Sequence, residues 1–252
     1  MLTYARPRDD EPRTSFFRFG IPYVLKRTPR TVSTEADALR YLNRVAPHLP
    51  IPKLIDSFKV DGATYTLMTQ LPGRRLLDVA ELEPSELITV TQDILSILNE
   101  LWRLPQPSSC AGQVMMSASG HGLPHPATLY EALGGPYAST VECYNSMIMQ
   151  KSGMAAHPPE MSKALADDPV VWVHTDLRMQ NILVENGRVT GVVDWEDAGW
   201  LPKHWQLHSL RLPCWGAQGA WVRFWINDFV FDEITEVAYR TSLAPGVLLY
   251  PL

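Results

Sequence analysis

Cysteine is scarce in this sequence, and what there is cannot pair locally. Of 252 residues three are cysteine, Cys110, Cys143 and Cys214. They form no Cys-x-x-Cys pair and have no zinc spacing, so they read as reduced thiols of a cytoplasmic protein. Positive charge is not in excess either. The 22 basic and 27 acidic residues leave a formal charge of −5, which provides no general electrostatic reason to hold nucleic acid or an anionic membrane. No apolar run is long enough to span a bilayer: the richest late stretch, 220–231, is interrupted by Arg223 and Asp228 and reads as a packed helix. Residues 1–13 are polar and charged, unlike the apolar core of a secretion signal. Repeats and low-complexity tracts are lacking. These absences predict a soluble, cytoplasmic chain with neither nucleic acid nor membrane as partner, and nothing in them specifies an oligomeric state.

What is present is apolar residues, 46% of the total, enough for one large domain or two small lobes. Residues 16–27 read as two short strands around Gly20 and Pro22. Residues 34–46 carry Ala38, Leu39, Leu42 and Val45 at helical spacing, with Ser33 or Thr34 as N-cap. Thr64–Thr69 alternates like a strand, and Leu71-Pro72-Gly73 then breaks the pattern. That break sets the expected boundary between a smaller lobe, 1–73, and a larger one, 74–252. Residues 85–104 form an amphipathic helix with Leu87, Val90, Ile94, Ile97, Leu98 and Leu101 on one face. The stretch 105–140, rich in Pro, Gly, Ser and His, reads as a long irregular segment of the functional kind. Helices are predicted over 139–150 and 159–167.

The chemistry concentrates further on. Val170–Val173 is a strand-like run ending in His174-Thr175-Asp176, and the segments 182–184 and 189–194 are strands joined by Glu185-Asn186-Gly187-Arg188. Asn-Gly tolerates positive φ at both positions, so a tight hairpin joins them. Asp176, Asn181 and Asp194, the last two 13 residues apart, make a set suited to phosphoryl transfer. That reaction needs an acceptor hydroxyl held in line and metal ions on the phosphate charge. One carboxylate can take the hydroxyl proton, while an Asn oxygen and a second carboxylate can hold Mg²⁺, which prefers hard oxygen ligands. Each residue also has a plainer reading: the two aspartates as caps at strand ends, Asn181 as a partner for loop backbone, Lys26–Glu35 as a surface ion pair.

The stretch 172–205, with its His-x-Asp-x-x-x-x-Asn, hairpin and apolar-Asp-Trp-Glu-x-Ala-Gly-Trp-x-Pro order, resembles the aminoglycoside phosphotransferase and choline kinase-like family, in particular its short fungal members. The resemblance extends to 24–42, to 51–76 and, more faintly, to Gly134-Gly135-Pro136-Tyr137. It implies an α+β, two-lobed protein-kinase-like fold, with a small N-terminal sheet lobe and a larger, mainly helical C-terminal lobe. It also implies an ATP- and Mg²⁺-dependent kinase acting on a hydroxyl of a small-molecule acceptor, of the kind found in specialised metabolism. By position, Lys26 would contact the nucleotide phosphates and pair with Glu35, and the backbone of Thr69, Gln70 and Leu71 would receive the adenine edge. Asp176 would be the catalytic base, Asn181 and Asp194 the metal ligands, and His174 a brace for the loop. Arg178, two residues after the base, would face the transferred phosphate. Glu196 and Asp197, beside Asp194, weakly favour a cationic acceptor. One departure stands out: no glycine-rich loop precedes Lys26, Gly20 being the one glycine up to that point, and Thr14 and Ser15 are the polar substitutes at hand. It motivates an alternative, a kinase-fold protein that has lost phosphoryl transfer and binds a metabolite or runs another reaction in the inter-lobe cleft.

Overall fold

Strands open the chain and helices close it in the computed structural model, which describes residues 3–5, 14–16, 20–28, 34–79, 83–124, 133–147, 153–211, 219–244 and 247. Ser33, His125 and Cys214 lie outside the described residues. The chain divides into two units, Met1–Ile94 with Met179–Glu196, and Leu95–Arg178 with Asp197–Leu252.

In the first unit, β1 (Thr3–Ala5), β2 (Thr14–Phe16), β3 (Tyr23–Thr28), β4 (Leu54–Val60) and β5 (Ala63–Thr69) form one antiparallel sheet in the order β1-β2-β3-β5-β4. In β5 the alternation is direct: Thr64, Thr66 and Met68 are buried while Tyr65, Leu67 and Thr69 are more open. Register places Lys26 opposite Thr66, so Lys26 and, two residues on, Thr28 share that buried face. The helix α1 (Thr34–Val45) buries Glu35, Ala38, Leu39 and Leu42, positions spaced as one helical face requires. Thr34 is its first residue, and its hydroxyl donates to the Glu196 carbonyl.

A second sheet of this unit has the order β11-β10-β6, from β6 (Arg74–Arg75), β10 (Ile182–Glu185) and β11 (Arg188–Val192). The Asn186-Gly187 turn has φ of 53° and 71°, the pair of positive values that a two-residue type I′ hairpin demands. Arg188 clamps Asp93 through two hydrogen bonds of 2.8 and 2.7 Å. The Leu71-Pro72-Gly73 break lies against this hairpin. Thr190 donates to the Pro72 carbonyl at 2.7 Å, and Gly73, at φ 100°, leaves no room for a Cβ, which would lie 2.4 Å from Thr190 Oγ1.

The helix α2 (Pro84–Leu101) buries Val90, Ile94, Ile97, Leu98 and Leu101 along its chain. In the second unit the irregular segment after it is held by backbone pairing. Val114 bridges Tyr137, Met116 bridges both Gly122 and Trp200, and β7 (Leu123–Pro124) pairs with β8 (Leu133–Gly134). Helices α3 (Thr140–Met147) and α4 (Pro159–Asp167) precede β9 (Val170–Val173), which pairs antiparallel with β12 (Gly199–Pro202). Trp172 and Trp200 are opposite each other there and meet edge to face at 4.6 Å. Then come α5 (Trp205–Arg211), the short α6 (Ala220–Arg223) continued by a π-helical turn over Phe224–Asp228, and α7 (Glu233–Ser242). The core of this unit runs through Val114, Leu123, Tyr144, Met147, Leu165, Val173 and Trp205. Among the described residues no helix is long and apolar enough to cross a membrane.

Candidate active site

The first unit gathers four charged side chains on one point. Lys26 Nζ lies 2.6 Å from Asp194 Oδ1, 3.1 Å from Glu35 Oε2 and 3.2 Å from Glu196 Oε2, so each of its three protons has a carboxylate to face. Local structure explains the convergence. Lys26 points from the buried face of β3, and Glu35 occupies the first turn of α1. The 194–196 stretch is tied down on both sides: Glu35 Oε1 accepts the Trp195 amide at 3.2 Å, and Thr28 donates to Glu196 Oε2 at 3.2 Å. Strand β11 ends at Val192, so Asp194 does not belong to the hairpin strand predicted over 189–194. Its φ is 67°, a left-handed conformation that Asp adopts more readily than most residues and that turns its side chain out of the ladder.

Charge and burial oppose each other here. Burial pulls the Lys26 ammonium down, but the carboxylates of Asp194, Glu35 and Glu196 outweigh it and hold the group well above the ordinary lysine value. Glu35 is pushed up to about 7, first by burial, against the lowering effect of Lys26 and with the help of Asp194 and Glu196. Three carboxylates on one ammonium are more negative charge than Lys26 alone balances.

Asn181 closes a 3₁₀ turn, Met179–Asn181, and is buried; its carbonyl accepts the Val193 amide at 2.9 Å. That bond brings Asn181 beside the backbone that enters Asp194. The pair offers amide and carboxylate oxygens only, the donor chemistry of a hard cation such as Mg²⁺. Among the described residues no group of three or more His, Cys, Asp or Glu could hold a metal, so an ion here would complete its shell with oxygens from a ligand or water. At the end of β5 two backbone donors are already engaged, Thr69 to the Lys53 carbonyl at 2.9 Å and Gln70 to that of Pro22 at 2.7 Å. The Leu71 amide has no such partner among the described residues.

The remaining expected residues lie in the second unit. His174 is buried, and its peptide is clamped by Gln206: the His174 amide donates to Oε1 and Nε2 donates to the His174 carbonyl, both at 3.1 Å. The His174 ring accepts the Asp176 amide through Nδ1 at 3.2 Å. Arg178 Nε lies 2.7 Å from Asp176 Oδ1. Thr175 donates to the Asp197 carbonyl at 3.2 Å.

Thus Lys26, Glu35, Asp194 and Asn181 come together in one unit, and His174, Asp176 and Arg178 in the other. Sequence reasoning missed three contributors. Thr28 was signalled by its two-residue spacing from Lys26. Glu196 was not assigned to Lys26 from the sequence, and it is engaged by Lys26 and Thr28. Gln206 had no sequence signal at all.

The mixed helix-and-sheet fold is the one seen in kinase-like phosphotransferases, and comparison with known proteins gives the family. The family model described as "Phosphotransferase enzyme family" (APH) matches residues 7–210, and the chain belongs to that family. No curated protein matches. Among solved structures, the aminoglycoside phosphotransferase APH(4)-Ia superposes with a TM-score of 0.64 at 19% identity, over 96% of this chain and 82% of that one. An aminoglycoside-3'-phosphotransferase of type VIII gives 0.60 at 15% identity, over 96% and 92%. A thermostable APH(4)-Ia mutant in a ternary complex with AMP-PNP and hygromycin B gives 0.57 at 20% identity, over 83% and 71%. At these identities the likeness is one of fold.

Proposed function

We propose that this protein is an ATP- and Mg²⁺-dependent kinase that phosphorylates a hydroxyl of a small molecule. The observation that carries the reading is the convergence of Glu35 and Asp194 on the Lys26 ammonium, at 3.1 and 2.6 Å. A buried lysine held well above its ordinary pKa is permanently cationic and suited to polyphosphate oxygens. AMP-PNP in a solved relative supports a nucleotide as the ligand. Lys26 would bind the phosphates, Glu35 would keep its ammonium aimed, and the Leu71 amide would receive the adenine edge. Asn181 and Asp194 would hold the metal, which when bound neutralises phosphate charge and orients the transferring group. Asp176 would accept the acceptor proton, with His174 bracing its peptide and Arg178 supplying charge toward the phosphate. Residues 1–73 would serve as the nucleotide lobe and 74–252 as the catalytic and acceptor lobe. A place in specialised metabolism rests on the likeness of 172–205 to short fungal members, and a cytoplasmic site of action on the sparse cysteines and their spacing in the sequence.

The test is to incubate the protein with ATP, Mg²⁺ and a small-metabolite extract and to search by mass spectrometry for products heavier by one phosphoryl group. The expected product requires nucleotide and metal and disappears in Asp194→Ala. A product that forms without nucleotide and survives that substitution refutes the kinase reading.

A further inference from the structure

The cation nearest to Asp194 belongs to the protein. Lys26 Nζ lies 2.6 Å from Asp194 Oδ1, on the carboxylate that the proposed function assigns to a metal. We propose that Lys26 bars divalent metal from Asp194 while no nucleotide is bound, so that metal enters only together with the nucleotide phosphates, and that Glu196 is the positioning residue that keeps Lys26 aimed during the exchange. The inference rests on the nucleotide reading of the site and adds an order of events to it.

Three observations carry it. The first is distance. Mg²⁺ binds carboxylate oxygen at about 2.1 Å, so with Lys26 Nζ 2.6 Å from the same oxygen the two cations would lie less than about 5 Å apart. At such a separation a dication repels an ammonium with twice the force of two unit charges, and a half-buried site screens little of it. The second is confinement. Lys26 is 8% exposed and anchored in the middle of a sheet, so its ammonium cannot swing into water. It has to move among fixed partners. Glu35 Oε2 and Glu196 Oε2, at 3.1 and 3.2 Å, are those partners. Glu196 is pinned at both ends, by Thr28 on its carboxylate and by Thr34 on its carbonyl. The third is the thinness of the metal site itself: among the described residues no three-donor acidic or imidazole group exists to capture an ion unaided. Nucleotide phosphates resolve all three. They attract Lys26 away from Asp194 and bring to the metal the oxygens that the protein does not provide.

The experiment compares Mn²⁺ binding, followed by electron paramagnetic resonance without nucleotide, with ADP–Mg²⁺ binding, followed by calorimetry. The proteins are the parent, Lys26→Met and Lys26→Met/Glu196→Gln. Lys26→Met is expected to bind Mn²⁺ alone at least about tenfold more tightly than the parent and ADP–Mg²⁺ at least about tenfold more weakly. Opposite changes in two ligands of one site are not what a damaged fold produces. Adding Glu196→Gln to Lys26→Met should change neither affinity further, because Glu196 acts through Lys26, which the first substitution has removed. A further drop in ADP–Mg²⁺ affinity would show Glu196 contacting the metal instead. Equal Mn²⁺ affinity in parent and Lys26→Met overturns the proposal. Should Lys26→Met not fold, the parent decides, labelled with ¹³C at lysine Cε: Mg²⁺ alone should leave the Lys26 resonance in place and ADP with Mg²⁺ should move it. Movement with Mg²⁺ alone sinks the idea. Absence of ADP–Mg²⁺ binding to the parent defeats the nucleotide reading itself, whatever Mn²⁺ does.

Discussion

Arg178→Ala separates a catalytic role from a structural one because the two predict different magnitudes. Arg178 Nε is 2.7 Å from Asp176 Oδ1, with the two side chains 29% and 36% exposed. A pair that open to solvent contributes roughly 0–1 kcal/mol. Nor is the contact a well-directed hydrogen bond, since Arg178 Nε has no aligned acceptor. The pair is therefore held by charge rather than by a directed hydrogen bond. If Arg178 stabilises the oxygens of the transferring phosphate, its loss should lower kcat by about 10²–10³-fold, the scale for removing one donor to developing charge, or about 2.7–4 kcal/mol. Folding stability should change by no more than about 1 kcal/mol. The assay is coupled ADP release with the acceptor identified by mass spectrometry, paired with urea unfolding of the same preparations. Arg178→Lys keeps the charge without the fork and should recover part of the rate. A kcat within threefold of the parent would refute the reasoning, and a loss confined to the acceptor KM would place Arg178 in acceptor binding.

Three other outcomes follow from the same geometry. Asp176→Asn should lower turnover by roughly 10²–10⁴-fold with ATP affinity nearly unchanged; intact product formation rules Asp176 out as the base. Asp168, buried, accepts from the His204 amide at 2.8 Å, from His204 Nδ1 at 2.7 Å and from Thr235 Oγ1 at 2.9 Å. Asp168→Ala strands those donors and should cost about 3–5 kcal/mol in urea unfolding, whereas a loss under about 1 kcal/mol contradicts the network. His208 is held well below the ordinary histidine value by burial, then by the charges of His204 and Arg211. The unfolded chain therefore binds a proton near pH 6.5 that the folded state refuses, so stability is present above that pH and falls as pH drops below it. Urea midpoints measured from pH 8 down to pH 5 should decline less steeply in His208→Gln; identical slopes would remove His208 from the account.

Much of the site was legible because it is written in consecutive residues. The span from His174 to Asn181 and the Asn186-Gly187 turn are local patterns, and positive φ at 53° and 71° is what that dipeptide favours. Helices α1 and α2 followed from periodicity, with ends within a few residues of those read. Asp194 showed the limit of such reading. Its strand was expected to run through it, yet β11 ends at Val192 and Asp194 turns to φ 67°. That conformation is sustained by Lys26 and by Glu35 on the next amide, both over 150 residues away in sequence.

By itself, then, the sequence determined helices α1 and α2, the hairpin and the oxygen donors offered by Asp176, Asn181 and Asp194, because propensity, turn stereochemistry and side-chain donor sets act over a few bonds. Only the tertiary structure decided that Met179–Glu196 joins the unit formed by the first part of the chain, that Glu196 is engaged by Lys26, and that Gln206 clamps the His174 peptide. Those pairings depend on where two distant segments are packed. A buried ammonium or peptide takes whichever partner the fold brings within about 3 Å, since leaving it unmet costs more than any local preference.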